Sequence, residues 1–299
     1  MTEPRDPFPG LARRAWQVLE VVHILSYFAP ETRQVTDALG LKGYWMSYFG
    51  CRAAPLGAVS AATVTATFHN FHPGMIERAV PDVWTYATPA QLIEARLAGV
   101  DAALKRIVGA SVADDPLVRE AADVALEAAS AVRGAEVSGR PLAAANAALQ
   151  VPDAPHLALW HALTVLREHR GDGHVALLVT GEIGPVEAHI LSIASGRSSA
   201  ELLRTARKWS DDDWDAGVVS LVARGWLRSD WTLTPNGAAA RETLEDDTDR
   251  LAAGPFRAIG VERTEELTRL VTPLASKIVA AGVLPFPNPV GVPEPSTDA

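Results

Sequence analysis

Apolar positions recur along this chain at helical spacing, and prolines and glycines cut the pattern into segments. Between Arg13 and Phe28, residues Trp16, Leu19, Val22, His23 and Ser26 fall on one stripe and predict an amphipathic helix. Pro30 opens a second short helix that Gly40 and Gly43 end. The aromatic run Tyr44-Trp45-Met46-Ser47-Tyr48-Phe49 reads as a helix or as a buried strand. Arg52 to Gly57 predicts a turn and Val59 to Phe68 a helix. Asn70-Phe71-His72-Pro73 predicts another turn, with Pro73 placed to open the next helix. From Gln91 to Val108 the stripe Leu92, Ala95, Ala98 and Ala102 predicts a long helix.

The alanine-rich stretch from Pro116 to Gln150 is helical in pattern, with a break at Gly134 to Pro141. We place a boundary there, between a unit of residues 1–135 and one of residues 150–280. His156 to Arg167 opens the second unit as a helix, and Glu168-His169-Arg170-Gly171-Asp172-Gly173-His174 predicts a loop. Val175 to Ser195 holds two helices around Gly184-Pro185. Residues 281–299 carry five prolines and predict an extended or disordered tail.

The pattern becomes more specific after Gly196. A short helix, Ser199 to Trp209, turns Leu202, Leu203 and Ala206 inward. Ser210 is placed as an N-cap, and Asp211, Asp212 and Asp213 fill a first turn, where the helix dipole favours carboxylates. That helix runs to Arg224-Gly225-Trp226-Leu227. A very short hairpin around Arg228-Ser229-Asp230-Trp231 follows, and Leu233-Thr234-Pro235-Asn236-Gly237 opens a final helix. This order resembles a winged helix-turn-helix of the MarR kind, over about Gly181 to Ala280. The resemblance implies a mainly α fold with small β wings and a homodimeric arrangement. As a whole the chain also resembles an actinobacterial family of helix-turn-helix proteins. That likeness rests on Tyr48 to Gly57, Asn70 to Pro73 and Arg167 to His174, and it implies no reaction.

The first half repeats features of the second. Arg78 and Arg224 each precede a Thr-Pro, Thr88-Pro89 and Thr234-Pro235, by the same separation, and Asp101 and Asp247 follow at equal distances. His23-Ile24-Leu25-Ser26 resembles His161-Ala162-Leu163-Thr164, though this alignment needs gaps. Chance similarity in alanine-rich helices is the competing explanation. Two related winged-helix halves would make one chain a pseudo-dimer with a crevice between them, where ligand sites tend to lie. Pro81 falls in the recognition-helix region of the first half and would disrupt DNA reading there.

Charge changes what the helix-turn-helix pattern implies. The chain carries 27 Lys and Arg against 36 Asp and Glu, a formal charge of −9. Nucleic-acid binders draw most of their non-specific affinity from Lys and Arg on phosphates. The segment Asp211 to Leu227 opposes Asp211, Asp212, Asp213 and Asp215 to Arg224 alone, although a recognition helix points its first turn at DNA. The expectation is a scaffold that has lost DNA binding. The competing reading is a ligand-responsive regulator that contacts DNA through Arg197, Arg204, Arg207, Lys208 and Arg224. It needs those cations on one exposed face. Met1 to Gly10 lacks the apolar core of a signal peptide, and no run approaches the ~20 apolar residues of a membrane helix. The single cysteine, Cys51, excludes an intramolecular disulfide and a cysteine-rich zinc site. Together these features predict a cytoplasmic protein.

The chemistry-bearing residues gather in three places. Tyr44, Trp45, Tyr48 and Phe49 with Arg52 offer flat apolar surface and a cation, suited to core packing or to a planar or anionic small molecule. His69, Asn70 and His72 sit among Phe68, Phe71 and Pro73 and need partners. Glu168, His169, Asp172 and His174, with His161 upstream, have metal-ligating side chains, yet Arg167 and Arg170 intrude and favour a salt-bridged segment. Cys51 beside Arg52 reads as a buried thiol. No phosphate-binding glycine loop, dinucleotide fingerprint or nucleophile elbow is present. The sequence therefore predicts a small-molecule-binding protein, with or without catalysis, and no specific cofactor or metal. Its ligand would contact His23, Tyr27, Tyr48, Arg52, Asn70, His72, His161, His169 and His174. A metal-dependent enzyme centred on His161, His169 and His174 is a further alternative.

Overall fold

The computed structural model describes residues 6–294. The first half contains α1 (Phe8–His23), α2 (Leu25–Phe28), α3 (Pro30–Ala38), α4 (Gly43–Ala53), α5 (Ala61–Phe68), α6 (Pro73–Glu77), α7 (Val83–Tyr86), α8 (Pro89–Val108) and α9 (Pro116–Ser130). It continues with α10 (Pro141–Ala147), α11 (Pro155–Thr180), α12 (Pro185–Ala194), α13 (Ala200–Arg207), α14 (Asp211–Ala223), α15 (Pro235–Ala252) and α16 (Gly254–Ala280). Proline opens α3, α6, α8, α9, α10, α11, α12 and α15, where its fixed φ suits the first turn and its missing N–H costs no helical bond. The aromatic run Tyr44 to Phe49 is helical, as part of α4.

Three apolar cores organise these helices. The largest draws on α1, α8, α9, α11 and α16, with Val22, Leu104, Val124, Leu163 and Leu267 fully buried. Each such side chain contributes about 1.5–3 kcal/mol by leaving water. A second core lies under α4 to α8, around Phe49, Phe68, Phe71, Ile76 and Val83. A third joins the end of α11 to α12, α13 and α14 around Ile190, Leu203, Trp214 and Leu221. Thus α11 is shared, packing its first half in the central core and Leu178 in the third.

The helix-turn-helix of the second half is held by short-range chemistry. Ser210 caps α14 by accepting from the Asp213 N–H, and the Asp213 carboxylate accepts from the Ser210 N–H in return. After α14 the expected β wing reduces to one bridge, Leu227 to Leu233, and no strand forms among the described residues. The Arg228 to Trp231 turn is too tight to leave more than one facing pair. The Thr234 N–H bonds the Trp226 carbonyl at 3.0 Å, and its hydroxyl donates to Gly225 O at 2.6 Å.

Two expectations are corrected. Residues 168–174 are no loop but the interior of α11. Helix survives two glycines there because every polar side chain finds a partner. Glu168 pairs with Arg52 and Arg167, His169 with Glu136, Arg170 with Asp249, and His174 with Thr248. Asp172 accepts from the Ala143 N–H at 2.9 Å and so caps α10 from another helix. At Gly173 a Cβ would stand 2.8 Å from the Arg140 guanidinium, which donates to the carbonyls of His169 and Leu251. The second correction concerns the tail. Up to Glu294 it is extended but packed, with Leu284, Asn288 and Val292 buried. The Asn288 carboxamide accepts from the N–H groups of Val290 and Gly291 and donates to the Val292 carbonyl. The remainder of the expected tail, 295–299, lies outside the described residues. No single helix among the described residues is long and apolar enough to cross a membrane.

Candidate functional site

Tyr44, Tyr48 and Arg52 are spaced four apart on α4 and therefore share one helix face. That face meets α11, where Trp160, Thr164 and Glu168 are also spaced by four. Arg52 reaches across and gives Glu168 two hydrogen bonds of 3.1 Å each. Arg167 donates to Glu168 at 2.7 Å and, through Nε, to Glu20 on α1 at 3.2 Å. The result is a buried chain of alternating charge, Arg52, Glu168, Arg167 and Glu20, across three helices. Burial works against ionising Glu168, but Arg167 and Arg52 outweigh it and hold this carboxyl well below the usual range. For Glu20 burial prevails over Arg167 and the pKa rises.

Beside this chain, His23 Nδ1 is 3.0 Å from the Thr164 hydroxyl and Nε2 is 2.8 Å from the Tyr27 hydroxyl. Its ring stacks on Trp160 at 5.9 Å. Burial, with Arg167 nearby, pushes the imidazole pKa far down, so His23 is neutral. Tyr27 turns its ring edge to Tyr48, 5.0 Å between centroids.

These side chains line a cavity of about 320 Å³. His23, Tyr27, Phe28, Tyr44, Tyr48 and Trp160 form its aromatic wall, with Arg52 beside them. Two polar groups of that wall are left over. Arg96 is 5% exposed and donates to Asn146 and to the Cys51 carbonyl, but among the described residues it pairs with no carboxylate and its Nε has no partner. The Thr32 hydroxyl is also buried and unpartnered. Cys51 lines the same space, and burial pushes its thiol up to about 11. On the far side of Tyr48 and Arg52 lies a second cavity, of about 210 Å³.

The residues nominated from sequence separate into groups. His23, Tyr27, Tyr48 and Arg52 meet at the first cavity. Asn70 and His174 line the second, together with Tyr48 and Arg52 again. His72 lies apart, capping α6 through Nδ1, which accepts from the Gly74 N–H at 3.0 Å. His161 and His169 line neither cavity, and burial lowers the pKa of both to about 4. His161, His169 and His174 project from different sides of α11. No group of three or more His, Cys, Asp or Glu among the described residues is arranged to hold a metal ion, so these three histidines are not brought together as a metal centre. Trp160, Thr164, Thr32 and Arg96 were not nominated. The stripe Trp160, Thr164, Glu168 carries the signal, but a predicted loop at Glu168 interrupts it.

The cations of the DNA-contact reading are dispersed. Arg207 is buried over the Phe71 ring, 4.4 Å from its centroid. Arg197 pairs with Glu245 at 2.9 Å, and Arg204 pairs with Asp211 at 2.6 Å. Arg224 donates to the carbonyls of Gly181 and Glu182, and Lys208 is exposed at the end of α13.

Capped helices α13 and α14, joined by a three-residue turn and closed by the Leu227–Leu233 bridge, define a helix-turn-helix unit. The model of a helix-turn-helix family matches residues 12–285. The chain belongs to that family. No curated protein and no solved structure matches it. In this helix-turn-helix protein the family match covers the whole wall of the first cavity, so the cavity lies within the region typical of the family.

Proposed function

We propose that this helix-turn-helix protein binds a small molecule in the 320 Å³ cavity, on a MarR-like scaffold that has given up DNA contact. The observation that carries the reading is the cavity wall. His23, Tyr27, Tyr48 and Arg52 from one end of the chain and Trp160 and Thr164 from α11 enclose a single space. Its volume falls in the range of small-molecule sites, and its lining sets five Tyr, Phe and Trp rings among polar groups that can fix a ligand's orientation. The unpaired Arg96 guanidinium and the free Thr32 hydroxyl ask for a ligand with hydrogen-bond acceptors. A planar molecule bearing an acceptor or anionic group fits that combination.

The pseudo-dimer belongs to the same proposal. The two smaller cores, one drawn from residues 41–92 with Leu142 and one from residues 178–244, each take in the start or middle of a helix opened by a Thr cap and a proline, α8 and α15. The first cavity then lies between the halves, in a cytoplasmic protein. Native mass spectrometry of the protein purified from its own host tests the reading. A stoichiometric small molecule is expected, and its presence should slow alkylation of Cys51. An empty protein whose Cys51 reactivity responds to no member of a library of planar acids and amides would overturn it.

A further inference from the structure

The second cavity is short of negative charge. Six guanidinium groups face it, those of Arg52, Arg167, Arg170, Arg197, Arg207 and Arg241. Their carboxylate partners are Glu20, Glu168, Glu245 and Asp249. Glu245 alone is divided among Arg170, Arg197 and Arg241. Asp249 also serves Arg13. The remaining acid of the lining, Asp172, is engaged by the Ala143 N–H, and burial raises its pKa to about 6. The lining histidines add no charge near neutral pH, because burial lowers His174 to about 4 and His189 to about 3.

Arg207 is the group this shortage leaves exposed electrostatically. It is 7% exposed and forms no ion pair among the described residues. Its Nη2 donates to the Pro289 carbonyl at 3.0 Å, while Nε has no partner. Burial lowers the Arg207 pKa from its ordinary value, but an arginine side chain in a protein does not escape burial by losing its proton. A buried, unpaired charge is among the costliest features a fold can hold. The packed tail that supplies the Pro289 carbonyl brings no carboxylate to it, although Pro289, Val290 and Gly291 form part of the wall.

We propose that this second cavity is an oxyanion site, taking a carboxylate or phosphate whose charge is held by Arg207 and whose apolar part, where it has one, lies against Phe68 and Phe71. Planar, forked donors suit both anions. The site is separate from the aromatic cavity and does not depend on what fills that space.

Thermal unfolding and isothermal titration with benzoate and with inorganic phosphate, each against chloride at matched ionic strength, test it. The expected result is a saturable rise in Tm and one-to-one binding for at least one of the two; which one responds identifies the carboxylate or the phosphate. Arg207→Gln should weaken that binding tenfold or more. Ser192→Glu, which adds a carboxylate to the cavity wall on α12, should abolish it while leaving the Tm at or above that of the wild type. Arg96→Gln, in the aromatic cavity, should keep it. If neither anion acts beyond chloride, or if the response survives Ser192→Glu, the proposal is overturned. Loss in Arg96→Gln with retention in Arg207→Gln overturns it equally. Should Arg207→Gln fail to fold, Ser192→Glu decides alone.

Discussion

Arg52 on α4 and Glu168 on α11 share two hydrogen bonds of 3.1 Å, the only direct charge contact between the aromatic helix and the central helix among the described residues. Both side chains are nearly buried. Arg52 lines both cavities and Glu168 lines the first. Removing one member leaves the other charge partly uncompensated, which costs far more than the pair contributes over an apolar equivalent. Arg52→Met should therefore destabilise the protein by about 3 kcal/mol in urea unfolding. In a double-mutant cycle with Glu168→Gln the two losses should fail to add, with a coupling of about 1–3 kcal/mol. Additive losses would show that the contact is incidental.

Gly237 explains the conjunction of two sequence elements. A Cβ at this position would overlap the Trp226 carbonyl, so only glycine lets the start of α15 close over Gly225-Trp226-Leu227. Gly237→Ala should lower stability by about 2–4 kcal/mol, as a backbone clash that no rotamer relieves. Hydrogen exchange should accelerate at the Thr234 amide, which bonds that same carbonyl. Unchanged protection there would contradict the contact.

This glycine also marks how far the sequence could be read. The helix-turn-helix of α13 and α14 was legible because its signals are local: a Ser cap, a first turn of acids, a tight turn and a Thr-Pro start all act within a few residues. The cavity was half legible. His23, Tyr27, Tyr48 and Arg52 stand out as polar or aromatic groups on helical stripes. Arg96 and Thr32 do not, since their significance is the lack of a partner, which no spacing encodes. The stretch from Glu168 to His174 misled for a physical reason. Two glycines and a string of polar residues favour a loop locally, but partners on α4, α10 and α15, with Glu136 between α9 and α10, satisfy every one of them in a helix. The packed tail was hidden likewise, because proline-rich composition says nothing of Asn288 folding the chain back upon itself.

Buried histidines should make the fold acid-sensitive. Burial lowers His161, His169 and His174 to about 4 and His189 to about 3, each from an ordinary value near 6.5. In this window the unfolded chain binds protons that the folded protein refuses. The stability these groups contribute is complete above about pH 6.5 and is lost as pH falls toward 4. Asp172, raised to about 6, acts in the opposite sense: its contribution is present below about pH 4 and disappears as pH rises past 6. With five such histidines, His23 among them, against Asp172, Glu20 and Asp249, whose pKa values burial raises, the unfolding free energy should fall by up to about 4 kcal/mol per pH unit near pH 5. Urea midpoints measured from pH 7 to 4.5 check this. A midpoint that holds steady across that range would mean the histidines are solvated rather than buried.

The family match makes DNA the natural first partner to test, and the charge geometry argues for a weak result. The Asp211, Asp212 and Asp215 side chains are exposed on the first turns of α14, where a recognition helix would face phosphates. Among the described residues Asp211 alone of the three has a cation in contact, Arg204, and that pairing turns Arg204 toward a carboxylate. Arg207 is buried and Arg224 is spent on two backbone carbonyls, so Lys208 is the one nominated cation left exposed and unpaired among the described residues. Non-specific binding of genuine DNA proteins lies near 10⁻⁴–10⁻⁶ M at physiological salt and tightens steeply as salt is removed. Fluorescence anisotropy on duplex DNA should show no binding tighter than about 10⁻⁴ M even at low salt, where phosphate contacts act most strongly. Replacing Asp211, Asp212 and Asp215 together by lysine should confer measurable, salt-dependent affinity, because the change leaves the helix in place and reverses the charge of its exposed first turns. If the wild type already binds with a steep salt dependence, the aspartates must turn away from DNA, and the helix-turn-helix still serves its ancestral contact.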